Sequence, residues 1–227
     1  MGKAELLGWF AFQLGPLYIG PTLLTSGLLT ALLGTLSWLA SRRLRVADPS
    51  PLQVALEGVI ATIDEAIRSV LPQQSATVLP FIATLWLFIG AANLLGVLPG
   101  VRAPTGDLAV TAALAVVVFL AVHWFGIRSA GLGNYLRHYL RPNPLLLPFH
   151  LLGEISRTLA LALRLFGNIM SLELAALLLL LVAGALVPVP LLLLHLIEAL
   201  IQAYIFGMLA LIYVAGGMQS HQLRKQA

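Results

Sequence analysis

Five long apolar runs, separated by short polar or proline-rich stretches, dominate the sequence. They cover Pro21 to Ala40, Thr77 to Leu98, Leu108 to Phe125, Pro144 to Leu186 and Pro190 to Gly216. About 20 apolar residues in a helix cross a hydrocarbon core ~30 Å thick, so each run predicts a spanning helix. Leu52 to Val70 follows another rule. Leu52, Leu56, Val59, Ile60, Ile63, Ile67 and Val70 fall on one helical face, and Gln53, Glu57, Asp64 and Arg68 fall on the other. This alternation predicts an amphipathic helix lying on the membrane surface. A helix covering part of the protein itself fits the pattern equally well. The fold expected is all-α: five spanning helices plus a surface amphipathic helix, with a long, steeply tilted fourth span packed against the fifth.

The organisation that follows is an N-terminal segment (1–20), outward or interfacial, one membrane domain (21–218) and a cytoplasmic tail (219–227). Residues 1–20 lack a multiply charged start and a small-residue cleavage site, so they do not read as a signal peptide. Leu6 stands where a myristoylation motif needs Ser or Thr. No internal repeat is visible, which argues against the common secondary-transporter architectures.

Composition agrees with the pattern. Hydrophobic residues make up 59% of the 227, charged residues 10%, and the mean hydropathy is +0.96. Without cysteine there are neither disulfides nor thiolate metal sites, and no cofactor or metal is expected. The net charge of +4 is not a nucleic-acid signal, because the cations sort by loop. Arg42, Arg43 and Arg45 follow the first span, Arg128, Arg137, His138 and Arg141 follow the third, and Arg224 and Lys225 lie in the tail. The opposite side holds only Lys3 and Arg102. By the positive-inside rule the N-terminus is outside and the C-terminus cytoplasmic.

Candidate chemistry is confined to the last two spans. Between Thr158 and Ser220 only Arg164, Glu173, His195 and Glu198 readily carry charge. A guanidinium does not give up its proton in a protein. Placing one at a membrane-helix centre costs roughly 2.5–3.5 kcal/mol, so Arg164 needs a reason and a partner. A structural pair with Glu173 or a side chain reaching the surface would answer locally. Glu173, however, is nine residues on, about half a turn out of phase. Arg164 and Asn168 share a face at i, i+4, with Arg157 two turns earlier, while His195, Glu198 and Gln202 share a face of the last span. His195 taken alone could be a structural interhelical donor. Together these groups form a sparse ladder ending at an Arg in mid-membrane, the arrangement an ion pathway needs.

Length adds one more expectation. The fourth run spans about 43 residues, roughly 64 Å as a continuous helix, about twice the core thickness. It must break or tilt steeply, and no internal proline demands a break. An upright hairpin turning near Pro188 would put Arg164 about 16 Å deeper than Gln202, whereas a steep tilt brings the two to nearly one depth.

The run Arg164-Leu-Phe-Gly-Asn168, followed by Glu173, His195 and Gln202-Ala-Tyr-Ile-Phe206, resembles subunit a of the F-type rotary ATP synthase. Pro104-Thr-Gly-Asp107, the basic exit of the first span and the amphipathic helix also fit that family. The chain departs from it in Ala109, where an Asn often stands, and in a short N-terminal region. The resemblance implies a non-catalytic, proton-conducting stator beside a rotating ring of c subunits, each with one mid-membrane carboxylate. It also implies a peripheral-stalk subunit b, the remaining ATP synthase subunits and membrane lipid as partners, with no nucleic acid. On this reading Arg164 controls ion release, and Asn168, Glu173, His195 and Gln202 line an outward half-channel, with Gln202 holding Arg164. Glu198 joins them from helical spacing alone. No Gly-rich phosphate loop is present, so nucleotide chemistry belongs to other subunits. The competing classes are a self-contained ion channel or exchanger, a sodium-coupled variant of the same subunit, and a passive scaffold.

Overall fold

The computed structural model describes residues 12–14, 17–19, 21–42, 44–45, 48–97, 103–133, 135, 147–183 and 188–219. Among the described residues, six long helices carry the fold. They are α1 (Pro21–Arg42), α2 (Pro51–Val70), α3 (Ser75–Leu95), α4 (Leu108–Ala130), α5 (Leu147–Ala183) and α6 (Pro188–Gln219). All but α2 are long and apolar enough to cross a membrane. The basic stretch over Arg137, His138 and Arg141 and the tail after Gln219 lie outside the described residues, as do Lys3 and Arg102.

One addition was not expected. Within the N-terminal segment, two three-residue strands, β1 (Phe12–Leu14) and β2 (Leu17–Ile19), pair antiparallel with Phe12 opposite Ile19. Runs this short leave too few positions for a period-2 pattern to show.

α6 is the hub, packing on α3, α4 and α5 and touching α2. Ile82 and Ile89 of α3, Val118 of α4, Leu165 of α5, and Phe206 and Leu211 of α6 meet in its core. In a bilayer this contact is held by packing rather than by transfer from water, since lipid tails are as apolar as Leu. Close approach therefore matters. At Gly207 the backbone of α6 lies directly against the indole of Trp86 on α3, and a Cβ there would fall inside the ring. Tyr204, one turn earlier, stacks on the same indole at 5.4 Å between centroids. α1 sits at the edge of the bundle, with only Leu29 buried among its described side chains.

α2 divides the two readings of its sequence between its halves. Ser50 caps it by accepting from the Gln53 amide N–H, with Pro51 in the first turn. Ile63 and Ile67 are buried against the bundle, so the C-terminal half covers the protein. Leu52, Leu56, Val59 and Ile60 remain exposed on the N-terminal half. Gln53 shares the polar face with Glu57, to which its Nε2 donates at 2.7 Å, but it is covered there, being only 9% exposed. Its Oε1 accepts from Arg45 N at 3.1 Å and its Nε2 donates to Arg45 O at 3.0 Å. That double bond folds the exit of α1 back onto α2. A helical-wheel argument cannot contain it, because the partner lies in the preceding link.

α5 is a single unbroken helix of 37 residues, about 55 Å long, so the alternative of a break disappears. Two contacts fix its register against α6. Asn168 hydrogen-bonds Gln202, and the Arg157 guanidinium lies 5.8 Å from the centroid of the Tyr213 ring. From 157 to 168 and from 213 to 202 the step is eleven residues on each helix. The two helices therefore run antiparallel in step over about 16 Å. Arg164 lies one helical turn, about 6 Å, from the level of the Asn168–Gln202 pair. That closeness comes from where the helices end. Asn168 is 15 residues before Ala183 and Gln202 is 14 after Pro188, so the pair sits at matching distances from the facing helix ends.

Candidate functional site

α5 and α6 present their polar residues at three levels. The middle level is the best defined. Asn168 Nδ2 donates to Gln202 Oε1 at 2.7 Å, and Gln202 is only 1% exposed. The Gln202 Nε2 is buried with no partner among the described residues. A buried amide left half-satisfied calls for a further acceptor, such as an internal water or a group from another chain.

One turn along α5, Arg164 stands on an exposed flank with Leu163 and Gly167. Among the described residues no acceptor or carboxylate reaches its guanidinium, so the local pair with Glu173 is not formed. Gln202 does not bond Arg164 either. Its carbonyl is taken by Asn168, because α5 turns Leu165, Asn168 and Ile169 toward the bundle and leaves Arg164 at the edge of that packed face. Arg157 is used differently. It reaches Glu154 at 3.4 Å and lies over Tyr213, at the far end of the ladder.

The third level lies on the other side of the pair. Glu173, five residues past Asn168, and His195, seven before Gln202, come to nearly the same height on neighbouring helices. Glu173 lies against Gly106 and His195 lies beside Gly96. A Cβ built at Gly106 would be 3.2 Å from Glu173 Oε1, and one built at Gly96 would be 3.7 Å from His195 Cε1. Glu173 is half-buried, while His195 is 4% exposed with its Nε2 unpartnered among the described residues. Glu198 is half-buried and makes no hydrogen bond to a described residue.

Periodicity did not single out what surrounds this level. Asn93, near the end of α3, and Thr105, in the 3-10 turn Pro104–Gly106, are both 0% exposed. Thr105 Oγ1 donates to Asn93 Oδ1 at 2.7 Å, and Asn93 Nδ2 donates to Ala199 O at 3.3 Å. Asp107 closes the segment. One carboxylate oxygen accepts from Ala109 N at 2.9 Å and caps α4, and the other accepts from Thr22 Oγ1 of α1 at 2.7 Å. The available signal was a lone Asn in an apolar span, a residue that seldom sits in lipid without a partner.

The site thus joins a half-buried Glu173 and a buried His195, the amide pair of Asn168 with the buried Gln202, and an exposed cation unpaired among the described residues, stepped along two aligned helices. Residues 23–215 match the model of the ATP synthase A chain family. The chain is 62% identical over 214 residues to the ATP synthase subunit a 2 of Pelobacter propionicus, covering 94% of this chain and 93% of that protein. It is 55% identical over 226 residues to the ATP synthase subunit a of Legionella pneumophila, covering 100% of this chain and 98% of that one. To the ATP synthase subunit a 1 of Hahella chejuensis the identity is 59% over 207 residues, covering 91% and 88%. The match runs from the first span into the last and includes every level of the ladder, so the chain belongs to the ATP synthase A chain family, that of subunit a of the F-type ATP synthase.

Proposed function

We propose that this multi-pass membrane chain is the proton-conducting stator of the synthase. It offers two offset half-channels to a rotating ring of c subunits and places Arg164 between them. The observation that carries the reading is the position of Arg164. It is exposed on an apolar flank and unpaired among the described residues, one turn from a buried amide pair that leads to Glu173 and His195. A cation so placed suits a carboxylate arriving from outside the chain.

The chemistry follows from charge. A guanidinium beside a passing carboxylic acid favours its ionised form, so each ring site releases its proton before it crosses. Arg164 does not relay that proton, because its own charge is permanent. It therefore separates the two half-channels while discharging each site. Glu173 and His195 exchange protons with the outward side, and Asn168 and Gln202 connect that level to Arg164. The unpartnered Nε2 atoms of His195 and Gln202 fit a hydrated path in which water completes the contacts. Glu198 remains a weaker member of the set, since no contact ties it to the others.

Orientation follows the positive-inside rule, with the N-terminus outside, the C-terminus cytoplasmic and α2 at the cytoplasmic surface. Arg42 ends α1 and Arg128 lies in the last turn of α4. Arg128 also shares a cavity of about 200 Å³ with Gln74 at the start of α3 and Met218 at the end of α6, as a common cytoplasmic end requires. At about 55 and 48 Å, α5 and α6 are both far longer than the ~30 Å core. Because they run in step, the steep tilt belongs to the pair. Subunit b and the remaining synthase subunits complete the assembly around the chain.

Proteoliposomes under an imposed pH gradient test the reading. The chain reconstituted alone should conduct no protons above background, and conduction should appear when the c ring is added. Flux through the chain alone at the rate of the complete membrane sector would instead establish a self-contained channel. Repeating the ring experiment with a sodium gradient at constant pH separates the sodium-coupled variant.

A further inference from the structure

Residues 103–107 form the wall against which the outward level is built, and one hydrogen-bonded pair fixes that wall. Thr105 is fully buried and donates to Asn93 at 2.7 Å, while Asn93, also fully buried, donates to the carbonyl oxygen of Ala199 at 3.3 Å. Ala199 lies one turn beyond His195 on α6. Three elements therefore meet at one side-chain amide: α3, α6 and the Pro104–Gly106 turn.

Each end of the turn touches one of the two titratable residues or its immediate surroundings. At one end, a Cβ on Gly106 would come within 3.2 Å of Glu173 Oε1 and 3.5 Å of Ile169 Cγ2. At the other, a Cβ on Gly96 would meet the Ala103 Cβ at 2.9 Å and His195 Cε1 at 3.7 Å. Moving the turn therefore moves the backbone facing Glu173 directly and, through Ala103 against Gly96, disturbs the backbone beside His195. An apolar pair would fill the same volume without needing partners, but apolar contacts slide. A directional bond to a helix carbonyl does not.

We infer that Asn93 and Thr105 are positioning residues for proton transfer, their hydrogen bond pinning the Pro104–Gly106 turn to α6 so that Glu173 and His195 keep a fixed separation. The inference rests on the assignment of those two residues to the outward path. The titratable groups on the surrounding elements are Glu173 on α5, His195 and Glu198 on α6, and Asp107 at the end of the turn. α3 carries none.

The test uses the complete ATP synthase in membrane vesicles, with ATP-driven proton uptake measured across a pH series. Thr105→Val removes the hydroxyl at nearly constant volume, and Thr105→Ser keeps it. Thr105→Val, assembled at normal amounts, should pump about three- to tenfold more slowly, with its pH profile displaced. Thr105→Ser should stay within about twofold of the unaltered enzyme on the original profile. Asn93→Leu should resemble Thr105→Val, and the double variant should be no worse than either single one. A Thr105→Val enzyme with unchanged rate and profile overturns the inference, as does a Thr105→Ser enzyme no better than Thr105→Val. Failure of both Thr105→Val and Thr105→Ala to assemble overturns it as well, since the bond would then serve folding and not positioning. Glu173→Gln and His195→Ala, measured alongside, separate the two levels of the argument. If neither alters rate or profile, the outward-path assignment falls and the inference with it. If they do and Thr105→Val does not, the inference falls alone.

Discussion

His195, Asn93 and Thr105 are enclosed by α3, α6 and the Pro104–Gly106 turn, whereas Arg164, about two and a half turns from Glu173 along α5, stands on an open flank. The first region is assembled within the chain: its two neutral polar side chains bond each other and a backbone carbonyl. The second supplies a cation and no described counterpart. An isolated guanidinium facing lipid would carry a penalty of roughly 2.5–3.5 kcal/mol. On the proposed function a carboxylate presented by another subunit would offset that penalty, so the open flank reads as half of a site. Loss of function should accordingly be graded along the ladder, total where the site is shared and partial where the chain and its waters can compensate.

The largest effect is expected at Arg164. Arg164→Ala, assembled at normal levels, should lower proton-driven ATP synthesis by at least about a hundredfold while the catalytic head still hydrolyses ATP. A near-normal synthesis rate would remove the proposed role and the contrast with it. Arg164→Lys should recover little, because a compact ammonium lacks the planar fork and loses its proton more readily when desolvated. Synthesis assays on the two variants side by side distinguish a need for charge from a need for guanidinium.

Effects at the enclosed level should be smaller and of another kind. Glu173→Gln and His195→Ala should slow ATP-driven pumping about three- to thirtyfold, yet leave the number of protons moved per ATP unchanged. A change in that ratio would mean the enclosed groups also control ion release. Asn168→Ala sits between the regions and should matter least. Interhelical hydrogen bonds in membranes average about 0.6 kcal/mol and reach about 1.7, so assembly and thermal stability should fall only slightly. Release of Gln202 from Asn168 should show mainly as a modest drop in pumping rate.

Much of this was legible in the chain itself, and the reasons for what was not are physical. The spans were readable because about 20 apolar residues have few other uses, and Arg164, Asn168, His195 and Gln202 because charge and amide groups are conspicuous in such runs. The register of α5 against α6 was not. Asn168 and Gln202 are 34 residues apart, and their pairing depends on helix ends that a run of Leu and Ala does not mark. Nor could spacing show which side of α5 lies open, since the apolar face toward lipid and the apolar face toward protein look alike in sequence. Asn93 was visible as an odd residue, but its partners, Thr105 and the Ala199 carbonyl, come from a turn and a distant helix. Gln53 was placed on the right helical face, beside Glu57, but its covering by the backbone of Arg45 was not legible for the same reason.

The contact between Trp86 and Gly207 bears on how this chain withstands load. On the proposed stator role, each step of the ring would push sideways on α5 and α6. An indole seated on a bare stretch of backbone acts as a key in a keyway. Screwing α6 forward by one residue, a rise of about 1.5 Å with a rotation of about 100°, would bring Phe206 or Met208 beneath the ring in place of glycine. Such a joint resists axial creep without a covalent tie. It passes thrust from α6 into α3, and α3 passes it to the buried half of α2. Seen mechanically, α3 would on that reading be the bracket that keeps the face carrying Arg164 from yielding under torque.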